Sequence, residues 1–362
     1  MKLLVDARVG WGHGIGRVIG NTLPRIARLR PDWQIGVLVG PTAIAMAEDV
    51  FAGTANLTII PCPIEPFSLA EQVSLSGYAK EYDLTWFTNY WVPLHWQGRF
   101  VATVHDMLHL IPEYFPASKP RRMLSKQVFN KVRRDATTVM FVSRFTQQAF
   151  VESIGVPRRS EIIHLGGDHL NYGTPRPMGD RKRQLMVVAA SKKHKNFPLL
   201  LEAWRQAKTP PDWSLVIVSP GSALKSSVDI EEMASSVERT TVRRGLSNES
   251  LTELYRESSI LLMPSLYEGF GLPLLEGLLA GNVCISSNAG AMVEVAEGSL
   301  VQFVNGNDLK GWINTIEATC DSIDRGECYI DQVIQHNLLQ AQRFRWDHSA
   351  EKIATALQHA AL

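Results

Sequence analysis

The chain has 362 residues, more than one hydrophobic core usually organises, so two domains are expected. Its 37 basic and 36 acidic residues leave a net charge near +1, which offers no general attraction for nucleic acid; 45% hydrophobic and 20% charged residues describe a soluble globular protein. Cys62, Cys284, Cys320 and Cys328 lack metal-ligand spacing and read as reduced thiols of a cytosolic protein; Met1 to Asp6 turns polar too soon for a signal peptide, and no apolar run approaches the roughly 18 residues of a spanning helix.

Lys2 to Asp6 reads as a first strand, followed by the glycine-rich loop Gly10 to Arg17, which holds Gly14 and Gly16, and by a helical pattern from Val18 to Arg28. Such a loop opening a helix presents N–H groups to phosphate, or it is a plain turn; its spacing is not the dinucleotide one. Apolar runs at Gln34 to Val39, Leu57 to Ile60, Leu84 to Phe87 and Phe100 to Val104 alternate with helical patterns, the mark of a doubly wound α/β domain. His105 and Asp106 follow the strand ending at Val104, where open parallel sheets gather ligands, although a histidine there is also often simply packed. Lys119 to Arg134 is basic, contains no acid, and sets Met123, Leu124, Val128, Phe129 and Val132 on one helical face. It suits an anionic membrane surface or an anionic substrate, or else faces its own core with a solvated back. Thr138 to Ser143 is a further strand, Phe145 to Ile154 a helix, and Ile162 to Leu165 a strand running into Gly166, Gly167 and Asp168.

Composition then shifts. The segment from Asn171 holds Gly173, Pro175, Pro177 and Gly179 among basic residues, so a linker is expected over 171–184, between domains spanning 1–170 and 185–340. Leu185 to Ala190 restarts as a strand, and Ser191 to Asn196, with Lys193, His194, Lys195 and Asn196, lies before a helix over Phe197 to Ala207. Cations at a positive helix terminus suit a diphosphate, or they form an exposed basic turn. Leu215 to Val218, the run from Val242 through Arg244 and Leu246, and a helix over Glu249 to Ser258 lead to the strand Ile260 to Pro264. Next come Glu268, Gly269, Phe270, Gly271, Leu272 and Pro273, then Glu276 inside an apolar helical run. Pro273 fits a first helical position, and the glycines permit a sharp bend and a close approach to a ligand. Glu276, among Leu274, Leu275, Leu278 and Leu279, is costly to desolvate without partners, which sugar or ribose hydroxyls would supply. Two glutamates flanking a Gly-x-Gly turn favour a polyol and phosphate site over two ordinary capping acids. Strands at Val283 to Ser286 and Val301 to Phe303 and helical patterns from Asp308 close the chain.

Assembled, these motifs resemble the retaining glycosyltransferases of family four over nearly the whole chain. Glu268 to Pro273 with Glu276 looks like that family's paired-glutamate motif; His105-Asp106, Val142 to Phe145, His194-Lys195-Asn196 and Phe344-Arg345-Trp346 resemble further landmarks in the expected order. Asp6 to Arg8 with Gly14 to Arg17 is most similar to the mannosyltransferase-like branch. The resemblance implies a GT-B fold, α/β, with two Rossmann-like doubly wound domains facing across a cleft, and residues 341–362 as a helix crossing back to the first domain. It implies a nucleotide-sugar donor on the second domain and a saccharide or lipid-linked saccharide acceptor on the first. Glu276 would then hold ribose hydroxyls and Glu268 those of the transferred sugar. Phe270, Gly271 and Leu272 would offer N–H groups, with Gly269 beside them. Lys195 would neutralise the departing diphosphate, Gly14 would approach it with Gly16 and Arg17 nearby, and His105 would lie by the reacting carbon, with Asp106 toward the acceptor. His194 stands where relatives often carry arginine, so Lys193 or Arg244 would have to supply that charge.

No cofactor or metal is expected, since no Asp-x-Asp motif is present and electrostatic stabilisation of the leaving diphosphate would be the main catalytic term. Retention implies attack from the face the phosphate leaves, with the phosphate taking the acceptor's proton. The preferred donor is GDP-mannose, by branch resemblance; glucose, galactose and rhamnose donors stay open. A lipid-linked acceptor would put the enzyme in cell-surface polysaccharide synthesis, with Lys119 to Arg134 resting on the cytoplasmic membrane face. A sugar-nucleotide epimerase of similar fold and a catalytically silent sugar-nucleotide-binding protein are the rival readings.

Overall fold

The structure, a computed structural model, describes residues 1–11, 14–188, 192–219 and 230–362. Gly12 and His13 of the first glycine loop, and Ala189, Ala190 and Ser191 before the basic turn, lie outside the described residues. The chain divides into two units, Met1–Gly166 with Arg345–Leu362, and Gly167–Phe344.

The first unit carries a seven-stranded parallel sheet of β1 (Lys2–Asp6), β2 (Gln34–Val39), β3 (Leu57–Pro61), β4 (Leu84–Phe87), β5 (Phe100–Val104), β6 (Thr138–Phe141) and β7 (Ser160–Ile162). Its spatial order is β3-β2-β1-β4-β5-β6-β7. The second carries β8 (Lys182–Val188), β9 (Ser214–Ser219), β10 (Thr240–Arg244), β11 (Ser258–Met263), β12 (Val283–Ser287) and β13 (Gln302–Val304), ordered β10-β9-β8-β11-β12-β13 and also parallel. A parallel sheet covered by helices on both faces needs strands apolar on both sides, and β5 and β11 are buried at every position. Each sheet reverses its winding once, between β1 and β4 and between β8 and β11, and at such a reversal the two adjacent loops part and leave a crevice beyond the strand ends.

Three departures from the sequence reading have physical causes. The expected strand at Ile162 to Leu165 ends at Ile162, because the chain leaves the sheet to pass beneath Trp346: a Cβ on Gly166 would lie 2.2 Å from the Trp346 nitrogen. Residues 171–184, expected as a linker, are packed in the second unit, where Tyr172 is buried edge-on to Tyr255 and Arg181 donates to the Ser258 and Ala280 carbonyls. The basic helix Lys119–Asp135 does not bury its whole apolar stripe. Val128, Phe129 and Val132 are inside, whereas Met123 is 65% and Leu124 37% exposed. Its basic C-terminal turns are partly neutralised, since Asp135 pairs with Lys131 at 3.1 Å and Arg134 at 2.7 Å.

The C-terminal helix Trp346–Ala361 completes the first unit's core. Ala350, Ile353, Ala354 and Leu357, at helical spacing, pack into one cluster with Leu3, Val5, Ile19 and Leu23. The second core gathers Trp204, Trp213 and Trp312 with Leu185, Leu215 and Ile260. Leu357 is fully buried, so Leu357→Ala should destabilise the first unit by about 2–5 kcal/mol, read as a shift in its urea-unfolding midpoint.

Candidate functional site

The reversal between β8 and β11 brings together two loops that the sequence read separately. One, after β8, holds the short turn Lys193–Lys195 and ends on Asn196 in the left-handed region at φ 54°, a conformation asparagine tolerates. The Asn196 amide donates to the Gly306 carbonyl at 2.6 Å, which anchors the turn. The other runs from β11 through Ser265 to Glu268. Leu266 N–H donates to the His194 carbonyl at 2.6 Å, and Lys195 Nζ donates to Glu268 Oε1 at 2.6 Å, so the loops are joined through both backbone and side chains.

Burial by itself would raise the Glu268 pKa, but the charge and hydrogen bond of Lys195, with Ser265 and His194 alongside, hold it below the ordinary carboxylate value. Glu268 is thus an anion beside an ammonium, able to accept from hydroxyls while Lys195 faces an anionic group. A third loop braces it. Gly290, at φ 65°, brings its backbone so close that a Cβ would lie 2.7 Å from the Glu268 nitrogen, and Ala291 N–H donates to the Glu268 carbonyl at 3.0 Å.

Beyond Glu268, Gly271 at φ 92° caps the helix Leu272–Ala280, in which Pro273 is the second residue. Gly269 and Leu272 are half-buried there, and Phe270 is buried edge-on to Phe344. Glu276 departs from expectation. It is 1% exposed and has protein partners where a ligand was foreseen: Tyr255 Oη donates to Oε2 at 2.7 Å, and His169 Nε2 lies 3.1 Å from Oε1. His169 and Tyr255 were missed in the sequence, as were Ser265 and Gly290; the available signal was that a carboxylate among leucines must find donors from other segments. Lys193 is exposed, as is Arg244 at the end of β10, which is ion-paired with Glu231, and Leu246 is half-buried.

In the first unit, Gly14 opens the helix Gly14–Leu29 with open space around its α-carbon, while Gly16 closes its own loop, donating to the Gly10 carbonyl at 2.9 Å; Arg17 lies in the first turn. His105 Nε2 donates to the Thr88 carbonyl at 2.8 Å, and Thr88 Oγ1 donates to the Asp6 carbonyl at 2.7 Å, so the ends of β5, β4 and β1 are tied in sequence. Asp106 accepts from Leu108 N–H at 2.9 Å. Burial holds the His105 pKa below 6.5, against the opposing pulls of the Thr88 carbonyl and Asp106, so near neutral pH the ring is uncharged with Nδ1 as an acceptor. All four cysteines are free, and among the described residues no helix is long and apolar enough to cross a membrane.

Two parallel sheets of Rossmann order, with these polar groups beyond the strand ends of the second, define a GT-B glycosyltransferase fold. Residues 182–321 match the family described as Glycosyl transferases group 1. The chain is 22% identical to a D-inositol 3-phosphate glycosyltransferase of Corynebacterium urealyticum, over 97% of this chain and 91% of the relative. It is 23% identical to the O-antigen chain mannosyltransferase RfbU of Salmonella typhimurium, over 71% and 77%. Among solved structures, Anabaena HepE in complex with UDP and glucose superposes with a TM-score of 0.77 at 17% identity, over 99% of this chain and all of that one. Sucrose-phosphate synthase from Thermosynechococcus elongatus does so at 0.79 and 16% identity, over 99% and 98%.

Because the folded-state pKa of His105 is depressed, the unfolded chain takes up this proton first as pH falls. The stability owed to neutral His105 is therefore complete above 6.5 and lost as pH falls below it. NMR titration of the His105 ring should give a midpoint below 6.5.

Proposed function

We propose that this protein is a retaining hexosyltransferase that moves mannose from GDP-mannose to a saccharide or lipid-linked saccharide, in cell-surface polysaccharide synthesis. The observation that carries this reading is the Lys195–Glu268 pair at the reversal of the second sheet. One group suits the diphosphate and the other the hydroxyls of the transferred sugar.

In the reaction the bond from the anomeric carbon to the phosphate oxygen breaks and a bond to the acceptor oxygen forms on the same face. The acceptor's proton passes to the phosphate oxygen. Lys195 and the N–H groups leading into the helix Leu272–Ala280 stabilise the charge that grows on the diphosphate. Glu276 holds the ribose by exchanging its contact with His169 for ribose hydroxyls, and His105 accepts a hydroxyl of the sugar at Nδ1. No step is assigned to a metal, so transfer should persist in EDTA. The mannosyltransferase relatives support mannose; HepE, whose structure holds UDP and glucose, is the reason UDP-glucose is the principal competitor to test.

Donor turnover measured across GDP-mannose, UDP-glucose, UDP-galactose and a rhamnose nucleotide should be fastest with GDP-mannose. Lys195→Ala and Glu268→Gln should each lower it by about 10²–10³-fold, the scale of removing one preorganised charge donor or acceptor. Preference for UDP-glucose would overturn the donor, and wild-type turnover in Lys195→Ala would overturn the site.

The lipid-linked acceptor is supported by the N-terminal turns of the helix Lys119–Asp135, where Lys119, Arg121 and Lys126 are exposed beside Met123 and Leu124. Cations next to exposed apolar side chains suit an anionic bilayer surface. The protein should co-sediment with phosphatidylglycerol vesicles at low salt and not with phosphatidylcholine vesicles, and substituting Lys119, Arg121 and Lys126 together by Glu should abolish the binding.

A further inference from the structure

Among the described residues three that are not glycine hold positive φ: Phe67 at 65°, Asn196 at 54° and Arg239 at 58°. Asparagine accepts this region readily. Arg239 is compensated by its guanidinium, which donates to Thr209 at 2.9 Å and to the Pro210 carbonyl at 3.0 Å and lies 4.6 Å from the Trp204 ring. Phe67 is different. A bulky side chain is a true outlier there, and its ring is 45% exposed rather than packed away.

A buried network holds it in place. Phe67 N–H donates to Glu71 Oε2 at 2.9 Å, and the same oxygen accepts from Trp91 Nε1 at 2.8 Å. Glu71 Oε1 pairs with Arg8 at 2.6 Å, and Arg8 is also gripped by Asp6 at 2.7 Å. Trp91 supports the exposed ring from below, at 4.7 Å between centroids. Three charges buried together are a costly way to secure one exposed phenyl ring. Their place in the fold makes sense of it: Asp6 and Arg8 lie at the end of β1 and Trp91 beyond β4, so the ring is held at the reversal of the first sheet, where a ligand crevice is expected.

We propose that Phe67 is the platform on which a pyranose ring of the acceptor stacks. The proposal rests on the reading that the acceptor is a saccharide. The negative face of an aromatic ring complements the C–H-bearing face of a sugar, and a ring immobilised in advance loses little entropy on binding. An alkyl chain would not need a fixed ring orientation; Leu69 and Val73, both exposed nearby, would serve it as well.

The test uses the full chain, with methyl α-D-mannopyranoside and methyl α-D-glucopyranoside as probes in saturation-transfer NMR. Wild type and Phe67→Tyr should transfer saturation to the ring C–H protons of at least one glycoside. Phe67→Gly, whose backbone accepts positive φ without strain, should weaken its Kd roughly three- to tenfold. The double variant Leu69→Ser with Val73→Ser should bind the glycosides as wild type does. GDP-mannose titrated separately should bind wild type and Phe67→Gly equally; if it binds neither, the donor reading falls while the glycoside result still decides this proposal. Absence of saturation transfer to both glycosides in wild type, undiminished binding in Phe67→Gly, or a loss confined to the Leu69 and Val73 variant would overturn it.

Discussion

An ammonium and a carboxylate 2.6 Å apart, Lys195 and Glu268, are the constraint around which the second unit's polar chemistry is arranged. They meet because β8 and β11 lie side by side where the sheet reverses its winding, so the loops that follow them start from neighbouring strand ends. Burial alone would drive Glu268 toward the neutral acid, and Lys195 reverses that outcome. The rest of the neighbourhood serves the pair. Left-handed Asn196 aims one loop, Gly290 admits a backbone where no side chain would fit, and left-handed Gly271 starts the helix that follows.

The first unit has the same strand order and reverses between β1 and β4, yet it fills that place in another way. Asp6, Arg8 and Glu71 form a closed ionic network, and Thr88 and His105 tie the neighbouring strand ends together. The polar groups here mostly satisfy one another, which gives rigidity at a price in desolvation. The second sheet keeps the Lys195–Glu268 pair partly open. One topology therefore supports two electrostatic designs, set by a few loop residues.

The strand pattern was legible because a parallel sheet buried on both faces imprints short apolar runs directly on the chain. β1, β2, β4 and β5 have the expected limits, since Pro, Gly and charged residues bound those runs closely. The end of β7 was not legible, because it is set by Trp346 packing on Gly166 from a distant part of the chain. The helix Lys119–Asp135 shows the same limit: helical spacing aligned Met123 with Val128 and Phe129 on one face, but only tertiary packing, such as Tyr90 and Phe150 against Phe129, determined how far along the helix that face is covered.

By itself, the sequence determined two doubly wound α/β arrays and the glycine turn between Glu268 and Glu276, because periodicity and backbone freedom are local properties. Tertiary structure alone decided which polar groups meet. Lys195 reaches Glu268, while Glu276 is met by Tyr255 and His169 and Arg244 by Glu231. Each of these partnerships depends on how strands from distant parts of the chain are ordered side by side, and the desolvation cost of a buried charge acts through that order rather than through neighbours in sequence.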